Sequence, residues 1–339
     1  QRLESTRTTP ESSDLQRLLA QMRDEGITAA AMEVSSHAID LHRVDAVRFG
    51  AVAFTNLTQD HLDYHHTIEE YASVKRRLFT DFEAGARVVN IDDPYGALLA
   101  AEVADVLTVG RDEAAAVRAV DEELSANGSC FDLVTPQGRA HIVLPLAGAY
   151  NVSNALVAAG CALSLGIELQ TVVEGLTTAP QVPGRMERVE CGQRFAVLVD
   201  YAHTPDSLEK ALLAVEHVTR GRVIVVFGCG GDRDPDKRPL MGAAAAAHAD
   251  AAVITSDNPR SEDPVGIILQ IEDGVRGSDL SYDVEVDRRC AIRRALRLAE
   301  PGDAVLIAGK GHEDYQIFAD RTIHFDDREV AREELASLC

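Results

Sequence analysis

No apolar run in these 339 residues approaches the roughly 18–20 positions of a membrane span, and the start carries no secretory pattern. Neither membrane insertion nor export is expected. The six cysteines (Cys130, Cys161, Cys191, Cys229, Cys290 and Cys339) form no CxxC pair. Scattered thiols fit a reducing cytoplasm better than a disulfide framework or a zinc site. Positive charge is scarce: 33 Lys and Arg against 55 Asp and Glu leave a formal charge of −22. General nucleic-acid binding needs a basic footprint and is excluded on that ground. There is no internal repeat, and no low-complexity tract beyond an alanine run at 243–247. No GxxxxGK[ST] occurs, so a P-loop nucleotide site is not complete here. Gln1 opens the chain and the first methionine is Met22, as expected of processing or of a truncated chain.

What is present suffices for two domains of ordinary size. From Ile27 to about Gly110, apolar β-type runs at Ile27–Val34, Val47–Leu57, Arg87–Ile91 and Val106–Gly110 alternate with helical spacing at Asp14–Glu25 and Ile68–Phe82. A β-rich patch follows at Cys130–Leu146, then a helix opened by Asn151 and continuing through Leu165. A second alternation begins after Val182-Pro183-Gly184. Its short apolar strands are Phe195–Asp200, Val223–Phe227, Ala252–Thr255, Tyr282–Val286 and Ala304–Ala308, with helices near Pro205–Val218, Pro239–His248, Val265–Asp273 and Arg288–Ala299. Short apolar strands separated by helices predict an α/β fold with a parallel sheet covered on both faces. The domain border is expected near 182.

Ligands of such sheets collect at the carboxyl ends of the strands. Four polar loops follow strands directly: Asp200–His203, Gly228–Arg233, Asp257–Arg260 and Gly309–Glu313. In SDNPRSEDP (256–264) one arginine stands among three carboxylates; it either pairs with Glu262 or Asp263, or awaits an anion from outside. The glycines of GCGGDRD (228–234) can bring backbone N–H groups close to an anion, with Arg233 adding a charged fork; a tight turn with a salt bridge is the alternative. Glu33-Val34-Ser35-Ser36-His37 offers hard oxygen donors suited to Mg²⁺, or simply a helix N-cap at Ser35 or Ser36. The His- and Asp-rich stretch 55–66 suggests metal or phosphate chemistry, though it has neither HExxH nor cysteine ligands for zinc. Lys75, beside Arg76 and Arg77, reads by itself as a solvated basic turn.

Together these segments resemble the Mur ligase family. The carrying motifs are EVSSHAIDLHRV (33–44), FTNLTQDHLDYHHTIEEYASVKRRLF (54–79), GAYNVSNALVA (148–158), GRMERV (184–189), VDYAHTPDSLEKAL (199–212), GCGGDRDPDKRPLMG (228–242), SDNPRSEDP (256–264) and GKGHEDYQ (309–316), in the family's order. The resemblance implies the remainder of a P-loop-type central ATPase domain over 1–182, lacking its Walker A loop, and a Rossmann-like doubly wound domain over 183–339. It implies an ATP-dependent, ADP-forming ligase of peptidoglycan precursor synthesis. That ligase would join meso-diaminopimelate to UDP-N-acetylmuramoyl-L-alanyl-D-glutamate, as a cytoplasmic monomer.

The family's roles carry over by position. Thr8, Thr9, Ser35 and Arg43 would hold the UDP-sugar dipeptide, and Glu33 and His61 would bind Mg²⁺. Lys75 would carry a CO₂-derived carbamate that turns a cation into a carboxylate-like group able to bind a second cation, which needs an amine of lowered pKa. Lys75, His61 and His203 would serve catalysis. Asn151, Arg185 and Asp200 would meet ATP, and Arg233, Asp257, Asn258, Pro259, Arg260, Gly309 and Glu313 the diaminopimelate. Two departures touch the dipeptide contacts: Arg7 stands where relatives often have Asn, and Leu41 where some have Gln. A lysine-adding relative, a folylpolyglutamate synthase-like ligase and a substrate-binding fragment without turnover are the competing expectations.

Overall fold

The computed structural model describes residues 8–57, 62–125 and 128–338. The chain divides into two compact units: Gln1–Glu122 with Phe131–Ile142 and Val152–Leu176, and Glu123–Cys130 with Val143–Asn151 and Thr177–Cys339.

The first unit runs through α1 (Ser12–Asp24), α2 (Ser36–Asp40), β1 (Phe49–Phe54), α3 (Leu62–His65), α4 (Ile68–Thr80), β2 (Ala84–Asn90), α5 (Pro94–Glu102) and β3 (Val106–Gly110). The chain continues into β4 (Val117–Ser125), β5 (Gly128–Thr135), β6 (Gly138–Leu144), α6 (Ala149–Ser164) and α7 (Leu169–Thr177). Strands β1 to β6 lie in sequence order in one sheet, with β1 to β4 parallel. Val52, Phe54 and Val89 of this sheet pack with Ile39, Tyr71, Leu78, Phe79 and Leu99 from the neighbouring helices. In this unit α2, α4 and α5 are capped by side chains, as at α4, where Thr67 accepts from the Glu70 N–H.

One predicted strand is absent. Residues 27–34 carry no strand, and Ile27 is 52% exposed. A strand needs a neighbour for its N–H and C=O groups, and no described residue pairs with this segment in the strand ladders. Apolar composition alone was a poor guide there.

The second unit contains β7 (Glu187–Arg188), β8 (Ala196–Asp200), α8 (Pro205–Val218), β9 (Val223–Phe227), α9 (Lys237–His248), β10 (Ala251–Ile254) and α10 (Pro264–Val275). It ends with β11 (Ser281–Val284), α11 (Arg288–Leu298), β12 (Ala304–Ala308), β13 (Tyr315–Ile317), β14 (Thr322–His324) and α12 (Asp327–Ala336). The sheet order is β11-β10-β9-β12-β8-β7, and β11 to β8 are mutually parallel. Side-chain alternation splits each strand between two cores. Val225, Phe227, Ile254 and Leu306 face Leu208, Leu212, Met241 and Ile271 of α8, α9 and α10. Ile224, Val226, Val305 and Ile307 face Ile292, Leu296, Val330 and Leu335 of α11 and α12. Burial on both faces explains the unbroken apolar runs in the sequence. The five described cysteines are free, and no helix among the described residues is long and apolar enough to cross a membrane.

At the amino ends of β9 and β12, Asp303 accepts hydrogen bonds from the Arg222 N–H at 2.8 Å, the Glu300 N–H at 2.9 Å and the Arg222 guanidinium at 2.7 and 3.1 Å. Burial alone would raise its pKa. The N–H groups of Glu300 and Arg222 and the Arg222 charge outweigh that and hold it below its ordinary 3.8. A depressed carboxyl pKa stabilises the fold above the unfolded value, and the contribution drains away as pH falls through the folded value. Asp303→Asn should therefore lower the denaturation midpoint at pH 7. Its deficit against wild type should shrink as titrations are repeated toward pH 3; a pH-independent deficit would contradict this account.

Candidate functional site

Because β10, β9, β12 and β8 are parallel neighbours, the loops at their carboxyl ends share one rim, as expected of open α/β sheets. The rim is tied together by side chains. Gln316 donates to the Asp257 carbonyl at 2.7 Å, and the Ile317 N–H to Asn258 Oδ1 at 3.0 Å. The Arg260 N–H donates to the Ile317 carbonyl at 3.0 Å. Asn258 Nδ2 donates to Glu313 Oε2 at 2.9 Å. Gly231 is required by close approach: a Cβ there would lie 1.9 Å from the Pro259 carbonyl oxygen. At Gly309 (φ +118°) a Cβ would meet Asp257 Oδ2 at 2.6 Å. Asp257, Asn258, Pro259 and Gly309 are buried, Arg260 and Glu313 half-buried and Arg233 exposed.

Arg260 does not pair with Glu262 or Asp263. Asp263 caps α10, accepting from the Val265 and Gly266 N–H groups. Glu262 takes the buried Arg238 on both oxygens, at 2.8 and 2.9 Å, and accepts from the Asp232 N–H at 2.6 Å. The Arg260 guanidinium donates through Nη1 to the Gly231 carbonyl at 2.7 Å, and no described carboxylate forms an ion pair with it. Its φ of +53° and that of Asp232 (+52°) are unusual for side-chain-bearing residues. Such strain at a rim is a pointer to function. Arg233 donates to the Asp232 carbonyl at 3.0 Å.

Sequence reasoning passed over three buried cations beneath these loops. Arg238 braces 230 against 262, its Nη2 reaching the Gly230 carbonyl at 3.4 Å. Arg288 and Lys310 are also buried. The only signal for them in the sequence is position: Arg288 directly follows the cap of α11, and Lys310 follows the apolar run of β12 and one glycine.

At the end of β8, both Asp200 oxygens accept backbone N–H groups, Oδ2 from Met186 at 2.8 Å and Oδ1 from Ala202 at 2.9 Å. Burial raises its carboxyl pKa against these bonds. Arg185 lies over the Tyr201 ring, 5.4 Å from its centroid. Exposed His203 donates through Nδ1 to the Tyr201 carbonyl at 2.9 Å. A cavity of about 480 Å³ in this unit is lined by Tyr150, Arg185, Met186, Asp200, Lys210 and Leu213 among others. Burial, with the nearby Asp200 charge, drives the Tyr150 phenol well above its ordinary pKa. Asn151 is buried and donates to the Ala147 carbonyl at 2.8 Å.

In the first unit, buried Thr9 donates to the Glu33 carbonyl at 2.9 Å and accepts from the Ser35 N–H at 3.1 Å. Arg43 reaches the Thr9 carbonyl at 3.4 Å and Glu11 at 3.1 Å. This brings Thr9, Ser35 and Arg43 together; Thr8 is exposed beside them. Ser35 does cap α2, accepting from Ala38. Lys75 Nζ lies 5.0 Å from the Tyr71 ring centroid. Its neighbours Arg76 and Arg77 bond Glu102, and Asp40 and Asp81, so the adjacent cations are engaged by carboxylates. His61 and Arg7 lie outside the described residues. Glu33 is exposed, and among the described residues no group of three His, Cys, Asp or Glu side chains is placed to hold a metal.

A parallel sheet clad on both faces, with charged loops gathered at its carboxyl edge, defines an α/β protein with its polar loops at the edge where open sheets of this kind hold ligands. The chain belongs to the Mur ligase family: the Mur ligase middle domain matches residues 1–162 and the Mur ligase glutamate ligase domain residues 184–311. It is 50% identical over 335 residues to a UDP-N-acetylmuramoyl-L-alanyl-D-glutamate–2,6-diaminopimelate ligase of Gloeobacter violaceus, covering 98% of this chain and 68% of that one. Identity to the ligase so named from Geobacillus thermodenitrificans is 49%, over 96% and 68%. A solved structure of a ligase of that name superposes with a TM-score of 0.72 at 36% identity, covering 98% of this chain and 69% of its own. A MurF ligase from Thermotoga maritima in complex with ADP, 16% identical, shares the fold with a TM-score of 0.66.

Proposed function

We propose that this chain is an ATP-dependent, ADP-forming ligase. It joins meso-diaminopimelate to UDP-N-acetylmuramoyl-L-alanyl-D-glutamate in peptidoglycan precursor synthesis, in the cytoplasm, as a monomer acting without nucleic acid. The carrying observation is the rim of the second unit. There a half-buried guanidinium without a described carboxylate partner stands on the loop after β10, and a half-buried carboxylate on the loop after β12. Diaminopimelate is lysine with a second carboxylate beside its far ammonium. The Arg260 fork suits that carboxylate bidentately, and Glu313 suits the ammonium. Arg233, Asp257, Asn258, Pro259 and Gly309 complete the pocket.

The reaction is two displacements. A substrate carboxylate oxygen attacks the γ-phosphorus of ATP, the bond to ADP breaks, and an acyl phosphate forms. The amine nitrogen of diaminopimelate then attacks the acyl carbon and loses a proton, and the C–O bond to phosphate breaks. The protein's work is placement and neutralisation of charge. Thr8, Thr9, Ser35 and Arg43 hold the dipeptide substrate in the first unit, while Asn151, Arg185, Asp200 and His203 serve the nucleotide. We place the border between central and carboxyl-terminal domains at 182/183, with the central one of P-loop ATPase type.

Mg²⁺ suits the donor chemistry of the Glu33 segment, whose side chain is an exposed carboxylate and whose backbone carbonyl accepts from the Thr9 hydroxyl. Glu33 and His61 would hold it, and a carbamate on Lys75 would hold a second cation. When bound, it supplies positive charge to the phosphates.

The test is an assay of the purified protein with ATP, the UDP-dipeptide and meso-diaminopimelate. Equimolar ADP, phosphate and a tripeptide product are expected. ATP hydrolysis without peptide product, or no turnover with any diamino acid, would overturn the proposal.

A further inference from the structure

The side chain of Lys310 is fully buried, which is unusual for an ammonium and costly unless it is paired. Gly309 (φ +118°) and Gly311 (φ +54°) flank it, so the chain turns in from the rim at this point. The Glu313 N–H returns to the Lys310 carbonyl at 2.9 Å, folding residue 313 back over the turn. Lys310 Nζ then lies 3.3 Å from Asn258 Oδ1, 3.4 Å from Glu313 Oε2 and 5.4 Å from the Tyr315 ring centroid. Ammonium, amide and carboxylate close a triangle, because Asn258 Nδ2 donates to the same Glu313 oxygen.

The triangle has a directional consequence. Asn258 Oδ1 faces two donors, the Lys310 ammonium and the Ile317 N–H. A flipped amide would set its NH₂ against both. The ammonium therefore keeps the amide's donors turned to the rim, and it holds one oxygen of Glu313 in place. Since Lys310 itself is sealed from solvent, it can act on a ligand only through these two neighbours.

We propose that Lys310 is the positioning residue of the amino-acid subsite, fixing Asn258 and Glu313 in the orientation that receives a diamino acid. This rests on the reading of the rim given above. Lys310→Met is compared with wild type, Glu313→Gln and the double variant in steady-state assays of the enzyme. Lys310→Gln, which keeps a donor toward Asn258, is made alongside and stands in if the Met variant does not fold. Loss of the ammonium should raise KM for meso-diaminopimelate about tenfold, with kcat within about twofold and KM for ATP unchanged. The double variant should fall well short of the product of the two single effects, because Lys310 acts in part through Glu313 and residues in one network are non-additive. An unchanged KM for the diamino acid, or effects that multiply in the double variant, would reduce Lys310 to packing. Wild type that makes no product from meso-diaminopimelate would instead sink the reading of the reaction, so the two failures are told apart.

Discussion

Arg260→Ala should lower kcat/KM for meso-diaminopimelate by about 10²–10³-fold, the scale expected when a bidentate partner of a desolvated carboxylate is removed. The effect should fall on the amino acid alone, leaving KM for ATP and for the UDP-dipeptide near wild type. Wild type offered L-lysine should be slower by about 10³-fold or more, because a group built to hydrogen-bond a missing partner is left unpaired. Arg260→Ala should lose most of that preference, since neither substrate now leaves a guanidinium unsatisfied. Arg260→Lys keeps the charge without the fork and should fall between. Glu262 and Asp263 are committed elsewhere, so neither neutralises the Arg260 guanidinium, whose Nη1 also ties the Gly231 carbonyl. Equal rates on lysine and diaminopimelate by wild type, or an unimpaired Arg260→Ala, would remove the assignment.

The sheet of the second unit was legible because its strands are buried on both faces and appear as plain apolar runs, as at Val223–Phe227 and Ala304–Ala308. The rim was legible for a related reason, each motif starting where such a run stops. The segment at 27–34 misled because its apolar residues are not ordered by a strand partner. Helix α12 went unread: its buried Val330, Ala331 and Leu335 are thinly spaced among acidic and basic residues. Buried cations were the other blind spot. Arg238 in DKRP, Arg288 in DRRC and Lys310 in GKGH each look like surface charge, and only tertiary contacts with Glu262, Asp327 and Glu313 show otherwise. The partners lie 24, 39 and 3 residues away, so no local pattern announces the first two.

Breaking the Arg288–Asp327 pair should be the most damaging single change to the stability of the second unit. Both side chains are fully buried. Nε and Nη2 meet the two Asp327 oxygens at 2.8 and 2.7 Å. Nη2 also donates to the Ala308 carbonyl at 2.9 Å, and Nη1 lies 3.5 Å from that of Ser256. Burial pushes the Arg288 pKa down, but the Asp327 charge and hydrogen bonds push it up by more, so the cation is retained. Removing either partner strands an uncompensated buried charge, which typically costs about 3–5 kcal/mol. Asp327→Ala and Arg288→Met should each shift the unfolding transition of this unit accordingly in guanidinium titrations followed by near-UV signals. Replacing both by apolar residues of similar size should recover much of the loss, since the penalty lies in the orphaned charge more than in the lost attraction. The carbonyls that Arg288 holds belong to the residues just before Asp257 and Gly309, so the single variants should also loosen the rim and raise KM for the amino acid. Single variants within about 1 kcal/mol of wild type would mean that water reaches the pair, and that α11 and α12 hold the carboxyl ends of β10 and β12 by apolar packing alone.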